Sequence, residues 1–191
     1  MRRAFFLLFS TFSVAGAVCL LAFVLLRWNG HMSALRVPTE AMAPFLHKDD
    51  QIICEGFSML SKPPARGDVV TFTTEGVPGI VPEGAAPVVF MKRVVGLPGD
   101  KLQLVDKVLL INGRPASEYF DCRGIEYVPA LRDSHGMDIA HPYVVPEAHV
   151  VVFGDNSASS FDSRYWGPLP MKNLRHTYWF HVRRAEAKKA G

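Results

Sequence analysis

The chain has 191 residues, a formal net charge of +3 and a pI of about 8.8. That charge is too mild for a nucleic-acid-binding face. Many of the basic residues sit at the ends, with Arg2, Arg3 and Arg27 at one and Arg183, Arg184, Lys188 and Lys189 at the other, and such end clusters suit a membrane surface or a solvated tail.

From Ala4 to Leu26 the sequence carries no charge across 23 residues. A helix rises about 1.5 Å per residue, so this run crosses a hydrocarbon core of about 30 Å with some tilt. Arg2 and Arg3 precede it, which predicts a cytoplasmic N-terminus and an exported C-terminal domain. Arg27 and Trp28 suit the far interface. Residues 1–28 are therefore expected to form a stub and a transmembrane anchor. Two rival readings are weaker. Ala15-Gly16-Ala17 fits a small-x-small cleavage site, but a cut there leaves an apolar remnant through Leu26, and the run exceeds an h-region of about 7–15 residues. Cys19 would close a lipoprotein signal, but Val18 stands where a small residue is expected.

Beyond the anchor roughly 160 residues remain, enough for one domain with a real core or one domain with a small annex. Residues 29–182 lack long stretches of helical period. Short apolar runs recur instead, at 51–54, 68–72, 88–91, 94–95, 108–111 and 150–153, mostly bounded by turn residues. This reads as short strands of a mainly β domain. Asn112-Gly113 predicts a tight hairpin, and Leu97-Pro98-Gly99-Asp100 has Pro and Gly where a type II turn needs them. The segment 76–86 is a Gly/Pro-rich loop, and residues 119–146 are expected to form an irregular excursion or a small subdomain. Residues 183–191 read as a basic tail. Cys54 and Cys122 are no disulfide framework; free buried thiols are the simpler reading, with a bridge left open. None of the seven histidines falls in His-Glu-x-x-His and no Cys-x-x-Cys exists, so no metal or other cofactor is expected.

Three stretches carry the chemistry. They are Val37-Pro38-Thr39-Glu40-Ala41-Met42-Ala43-Pro44-Phe45-Leu46; then Arg66-Gly67-Asp68-Val69-Val70 with Met91-Lys92-Arg93-Val94-Val95-Gly96-Leu97-Pro98-Gly99-Asp100; and Gly154-Asp155-Asn156 through Ser160-Phe161-Asp162-Ser163-Arg164. A lysine serves as a general base only when neutral, and an exposed one titrates near 10.4. Phe90, Met91, Val94 and Val95 around Lys92 supply an apolar setting that lowers its pKa. In a strand Lys92 points away from Arg93, which is expected to serve structure. Asp155 and Asn156 read as loop-fixing residues that bond local backbone.

In order and spacing these stretches resemble the signal peptidase I (leader peptidase) family, Ser-Lys serine proteases of exported precursors. The resemblance implies an antiparallel β-sheet catalytic domain behind an N-terminal transmembrane helix. It implies roles residue by residue: Ala41 at the nucleophile position, Lys92 as general base, Ser160 orienting the Lys92 amine, and Thr39 with the backbone N–H of Ala41 in the oxyanion hole. Val37, Pro38, Met42, Leu46, Phe90 and Met91 match positions lining pockets for small residues before the scissile bond, although plain core packing would look the same. Asp162 and Arg164 match a structural ion pair.

Ala41 departs from the pattern, since a methyl group has no proton to lose and no lone pair to attack with. Phe45 departs as well. Ala41 is either an engineered Ser→Ala change, which the retention of Lys92 and Ser160 favours, or the mark of a natural non-catalytic relative. The implied partners are signal peptides and the lipid bilayer, with no nucleic acid, and the chain is expected to be a monomer. The implied place is the inner (plasma) membrane, N-terminus cytoplasmic and domain outside. Two rivals of other kinds are a binder of precursors or pilin-like substrates and a soluble self-cleaving Ser-Lys regulator, the latter disfavoured by the anchor.

Overall fold

The computed structural model of the chain describes residues 16–22, 24–25, 32–56, 62–82, 84–130 and 136–182. Of the expected anchor, residues 16–22 and 24–25 are helical and exposed, and the rest lies outside the described residues, as does the basic tail. Among the described residues no helix is long and apolar enough to cross a membrane.

Among the described residues eleven strands make two sheets. In chain order they are β1 (Met32–Arg36), β2 (Gln51–Glu55), β3 (Val69–Thr73), β4 (Val89–Gly96), β5 (Lys101–Val105), β6 (Val108–Ile111), β7 (Arg114–Pro115), β8 (Tyr143–Val144), β9 (His149–Phe153), β10 (Leu169–Pro170) and β11 (Leu174–Val182). The larger sheet has the order β1-β2-β11-β3-β4-β9-β10 and the smaller β7-β6-β5-β8. Every described pairing is antiparallel.

The central strands are covered on both faces, so they read as continuous apolar runs rather than alternating ones. Strand β9 shows this: Val150 and Val152 join one core cluster with Val70, Phe72 and Trp166, while Val151 and Phe153 join another with Leu102, Ile111 and Tyr127. A third cluster, with Val37, Met42, Leu46, Ile52 and Cys54, holds the segment 37–46 against β1, β2 and β3.

The runs at 88–91 and 94–95 are one strand, β4, because Lys92 and Arg93 between them are buried and laddered to β3 as Val70↔Lys92 and Val69↔Arg93. The hairpin at Asn112-Gly113 forms with both residues at positive φ, 54° and 80°, closing Ile111↔Arg114. A second two-residue turn, Asp106-Lys107, also takes positive φ at both positions and joins β5 to β6. It carries no glycine, so the sequence does not announce it. The turn at 97–100 forms as expected, with Gly99 at φ 80° and the Asp100 N–H donating to the Leu97 carbonyl at 2.9 Å. The described residues within 119–146 are mostly irregular, yet Tyr127, Met137, Ile139 and Val145 are core and β8 adds a strand to the smaller sheet.

Candidate active site

The segment after β1 turns inward as a short 3₁₀ turn, Glu40–Met42, with Thr39 as its N-cap. The Thr39 hydroxyl oxygen accepts the Ala41 N–H at 3.4 Å. The two groups expected to donate together to an oxyanion are thus bonded to each other, through a contact long enough to be weak. Ala41 is 8% exposed and lines a cavity of about 320 Å³ with Val37, Pro38, Thr39, Met42 and Lys92. Its carbonyl accepts the Asn156 N–H at 3.1 Å, so the loop after β9 is tied to the turn.

Gly154 makes that approach possible. A Cβ on Gly154 would lie 2.5 Å from the Ala41 carbonyl oxygen and against the Ser160 hydroxyl. Ala41 and Ser160 therefore converge on one α-carbon. The Ser160 hydroxyl is buried without a hydrogen-bond partner among the described residues, so the expected bond to the Lys92 amine is not formed. The neighbours Ser159 and Phe161 line the cavity instead.

Lys92 reaches the cavity from the middle of β4 and is 6% exposed. Its amine lies 5.6 Å from the centroid of the Phe90 ring. Burial holds its pKa below the ordinary 10.5; Asp162 opposes this, Arg164 adds to it, and Asp155 opposes it. An amine so placed sheds its proton more readily than one in water.

Arg93 points the other way. Its Nε donates to Asp155 at 2.8 Å and its Nη1 to the Gly67 carbonyl at 2.8 Å, and its guanidinium lies over Phe45, 4.9 Å from the ring centroid. This corrects the local reading of Asp155, whose carboxylate bridges 62 residues to Arg93 rather than bonding nearby backbone. Asn156 acts through its backbone N–H. Asp162 and Arg164 form the expected pair, at 2.8 and 2.7 Å, both fully buried. Asp162 also accepts the Gly154 N–H at 2.9 Å, and Arg164 donates to the carbonyls of Val128 and Ser157. One ion pair thus binds the excursion, the serine loop and the end of β9 together.

Of the expected pocket residues, Val37, Pro38, Met42, Phe90 and Met91 do line the cavity. Leu46 does not: the 42–46 turn, closed by the Leu46 N–H donating to the Met42 carbonyl at 2.9 Å, drives it into the core with Ile52 and Cys54. Leu35, Ile52, Thr71 and Val89 line the cavity without having been singled out; each looks like a plain strand residue until the sheet is assembled. Cys54 and Cys122 are free thiols, and burial pushes them up to about 12 and about 11, which keeps them protonated and poorly nucleophilic. Among the described residues no group of three or more His, Cys, Asp or Glu could hold a metal ion.

The profile of the family described as "Signal peptidase, peptidase S26" matches residues 9–181. The chain belongs to this family. Its mainly antiparallel β domain is of the signal peptidase I kind. A signal peptidase I of Leptolyngbya laminosa is 35% identical over 139 residues, 72% of this chain and 62% of that one. A probable thylakoidal processing peptidase 2 of Arabidopsis thaliana is 36% identical over 72% of this chain and 34% of its own length. Signal peptidase I V of Bacillus subtilis is 31% identical over 73% and 79%. The chain thus spans from a third to four fifths of these relatives. A solved signal peptidase I from Enterococcus faecalis V583 superposes with a TM-score of 0.42 at 26% identity, covering 61% of this chain and 97% of that one.

Proposed function

We propose that the cavity is the peptide-cleaving site of a membrane-anchored signal peptidase I, with its nucleophile position occupied by Ala41. The observation that carries this is that Ala41 and the buried Lys92 line one apolar cavity. A serine at position 41 would give its proton to neutral Lys92 and attack the scissile carbonyl. The weak Ala41 N–H to Thr39 contact is one a substrate oxygen can displace, and each oxyanion donor gained lowers a barrier by about 3–4 kcal/mol. Ser160, with its unpartnered hydroxyl, is the group at hand to steady the amine once a substrate excludes water. Val37, Met42 and Met91 offer apolar walls to small side chains, which fits removal of signal peptides after small-x-small sequences.

The uncharged run 4–26 would anchor the chain in the inner (plasma) membrane, with the N-terminus cytoplasmic and residues 29–182 outside. Only 14 residues separate Leu26 from Ala41. At full extension they reach about 50 Å, so the site stays near the bilayer. With alanine at position 41 the chain cannot form an acyl-enzyme. The retention of Lys92, Ser160 and Thr39 fits an engineered Ser→Ala change. Ala41 itself supports a second reading, a native protein that holds precursor or pilin-like segments without cutting them.

The test is Ala41→Ser, purified and mixed with a precursor carrying a small-x-small site. Cleavage that vanishes with Lys92→Met in the same background supports the peptidase. Tight binding with no cleavage supports the holder, and neither binding nor cleavage overturns both.

A further inference from the structure

Strand β11 ends at Val182, which pairs with Gln51; Gln51 pairs in turn with Arg36 at the end of β1. Both pairings are antiparallel, so β11 runs parallel to β1, two strands away. The chain therefore leaves β11 on the side of the sheet where Val37–Ala41 leaves β1. Arg36, Val37, Pro38, Thr39 and Ala41 all line the cavity. Two strand spacings amount to about 10 Å. The nine residues after Val182 read Arg-Arg-Ala-Glu-Ala-Lys-Lys-Ala-Gly, and within them Ala185-Glu186-Ala187 is itself a small-x-small sequence. Five peptide units separate Val182 from Ala187 and reach about 17 Å.

From this placement we propose that Ala185-Glu186-Ala187 docks in the cavity of its own molecule and, when position 41 is serine, is cut between Ala187 and Lys188. The proposal rests on the peptidase reading of the cavity. In an extended segment Ala185 and Ala187 project to one side and Glu186 to the other. Their methyl groups suit walls made by Val37, Met42 and Met91. The exposed Arg36 at the rim, paired with Asp49 at the surface at 3.0 Å, is a cation for Glu186. A short tether holds the segment at an effective concentration of about millimolar, so weak docking suffices. In the cutting step the serine oxygen attacks the Ala187 carbonyl and Lys92 takes the hydroxyl proton. The bond to Lys188 breaks, its amine leaves with that proton, and water then hydrolyses the Ala187 ester.

Two measurements on the full chain in detergent test this. In Ala41→Ser, intact mass should show loss of residues 188–191 at a rate unchanged by dilution. A persisting full-length mass, while the same sample cuts an added small-x-small peptide, overturns the proposal and leaves the peptidase reading standing. A rate that falls with dilution overturns docking within one molecule. If neither tail nor peptide is cut, the peptidase reading fails and this inference with it. In the Ala41 chain, Ala187→Trp should tighten binding of the added peptide by about three- to tenfold, because the competing segment no longer fits. An unchanged Kd overturns the docking.

Discussion

Lys92 occupies a place where a charge is costly and a neutral amine is not. Its folded pKa lies below 10.5, chiefly through burial. In the window between the folded and unfolded values the unfolded chain binds more protons, so stability rises with pH there. Below that window the cost is fully present. Lys92→Met is therefore expected to stabilise the domain near neutral pH by about 1–3 kcal/mol, with the gain fading as pH approaches 10.5. Thermal melts of both proteins across pH check this, and a methionine that destabilised the domain at pH 7 would contradict the burial argument. The same titration predicts that Ala41→Ser cleaves faster as pH rises through the Lys92 pKa, with a midpoint below 10.5. Removing Lys92 in that background should cost about a hundredfold or more in rate. Lys92 stood out in the sequence because its apolar neighbours and flanking glycine turn are local. Leu46 misled, since an apolar residue near a site and one in a core have the same side chain.

Strand β9 ends at the point where its backbone must touch the 3₁₀ turn. Gly154 is required there by space: any Cβ meets the Ala41 carbonyl and the Ser160 side chain. Gly154→Ala is expected to cost about 1–3 kcal/mol by overpacking and to reduce cleavage by Ala41→Ser further than that loss of stability explains. Denaturant unfolding read beside the rate at saturating peptide separates the two effects. Next along the chain, Asp162 and Arg164 hold the serine loop with both charges buried. Arg164→Met strands the Asp162 carboxylate and should cost about 3–5 kcal/mol, whereas a surface pair such as Lys107–Glu126 should contribute about 0–1 kcal/mol. Urea midpoints of Arg164→Met and Lys107→Met check the contrast. The sequence announced β9 because four successive residues, Val150 to Phe153, are apolar. It did not announce β11, whose residues Leu174–Val182 mix polar and aromatic side chains on a partly open surface.

The two sheets are joined at Asp100. Its carboxylate accepts Arg66 Nε at 2.7 Å and Nη2 at 2.6 Å, the Leu97 N–H at 2.9 Å and the Asn112 amide at 2.8 Å. Arg66 precedes β3 of the larger sheet, and Asn112 sits in the hairpin of the smaller. Burial alone would push the Asp100 carboxyl up, but the Arg66 fork and the two further donors hold it below 3.8. A depressed carboxyl adds stability above its unfolded pKa that is lost as pH falls through the folded one. Asp100→Asn is expected to cost about 3 kcal/mol at pH 7 and to flatten the acid limb of the stability curve below pH 3.8. Melts at neutral and acid pH decide it, and parallel acid limbs would contradict it. At this scale the sequence by itself determined the mainly β class and the position of the tight turns at 97–100 and 112–113, because each depends on neighbours within a few residues. Tertiary structure alone decided that β11 lies between β2 and β3, that Asp155 serves Arg93, that Leu46 is core, and that Gly154 brings Ala41 and Ser160 together. The contacts of Asp155 with Arg93 and of Gly154 with Ala41 join residues tens of positions apart, and strand order and face, which no local pattern encodes, determine which side chains meet.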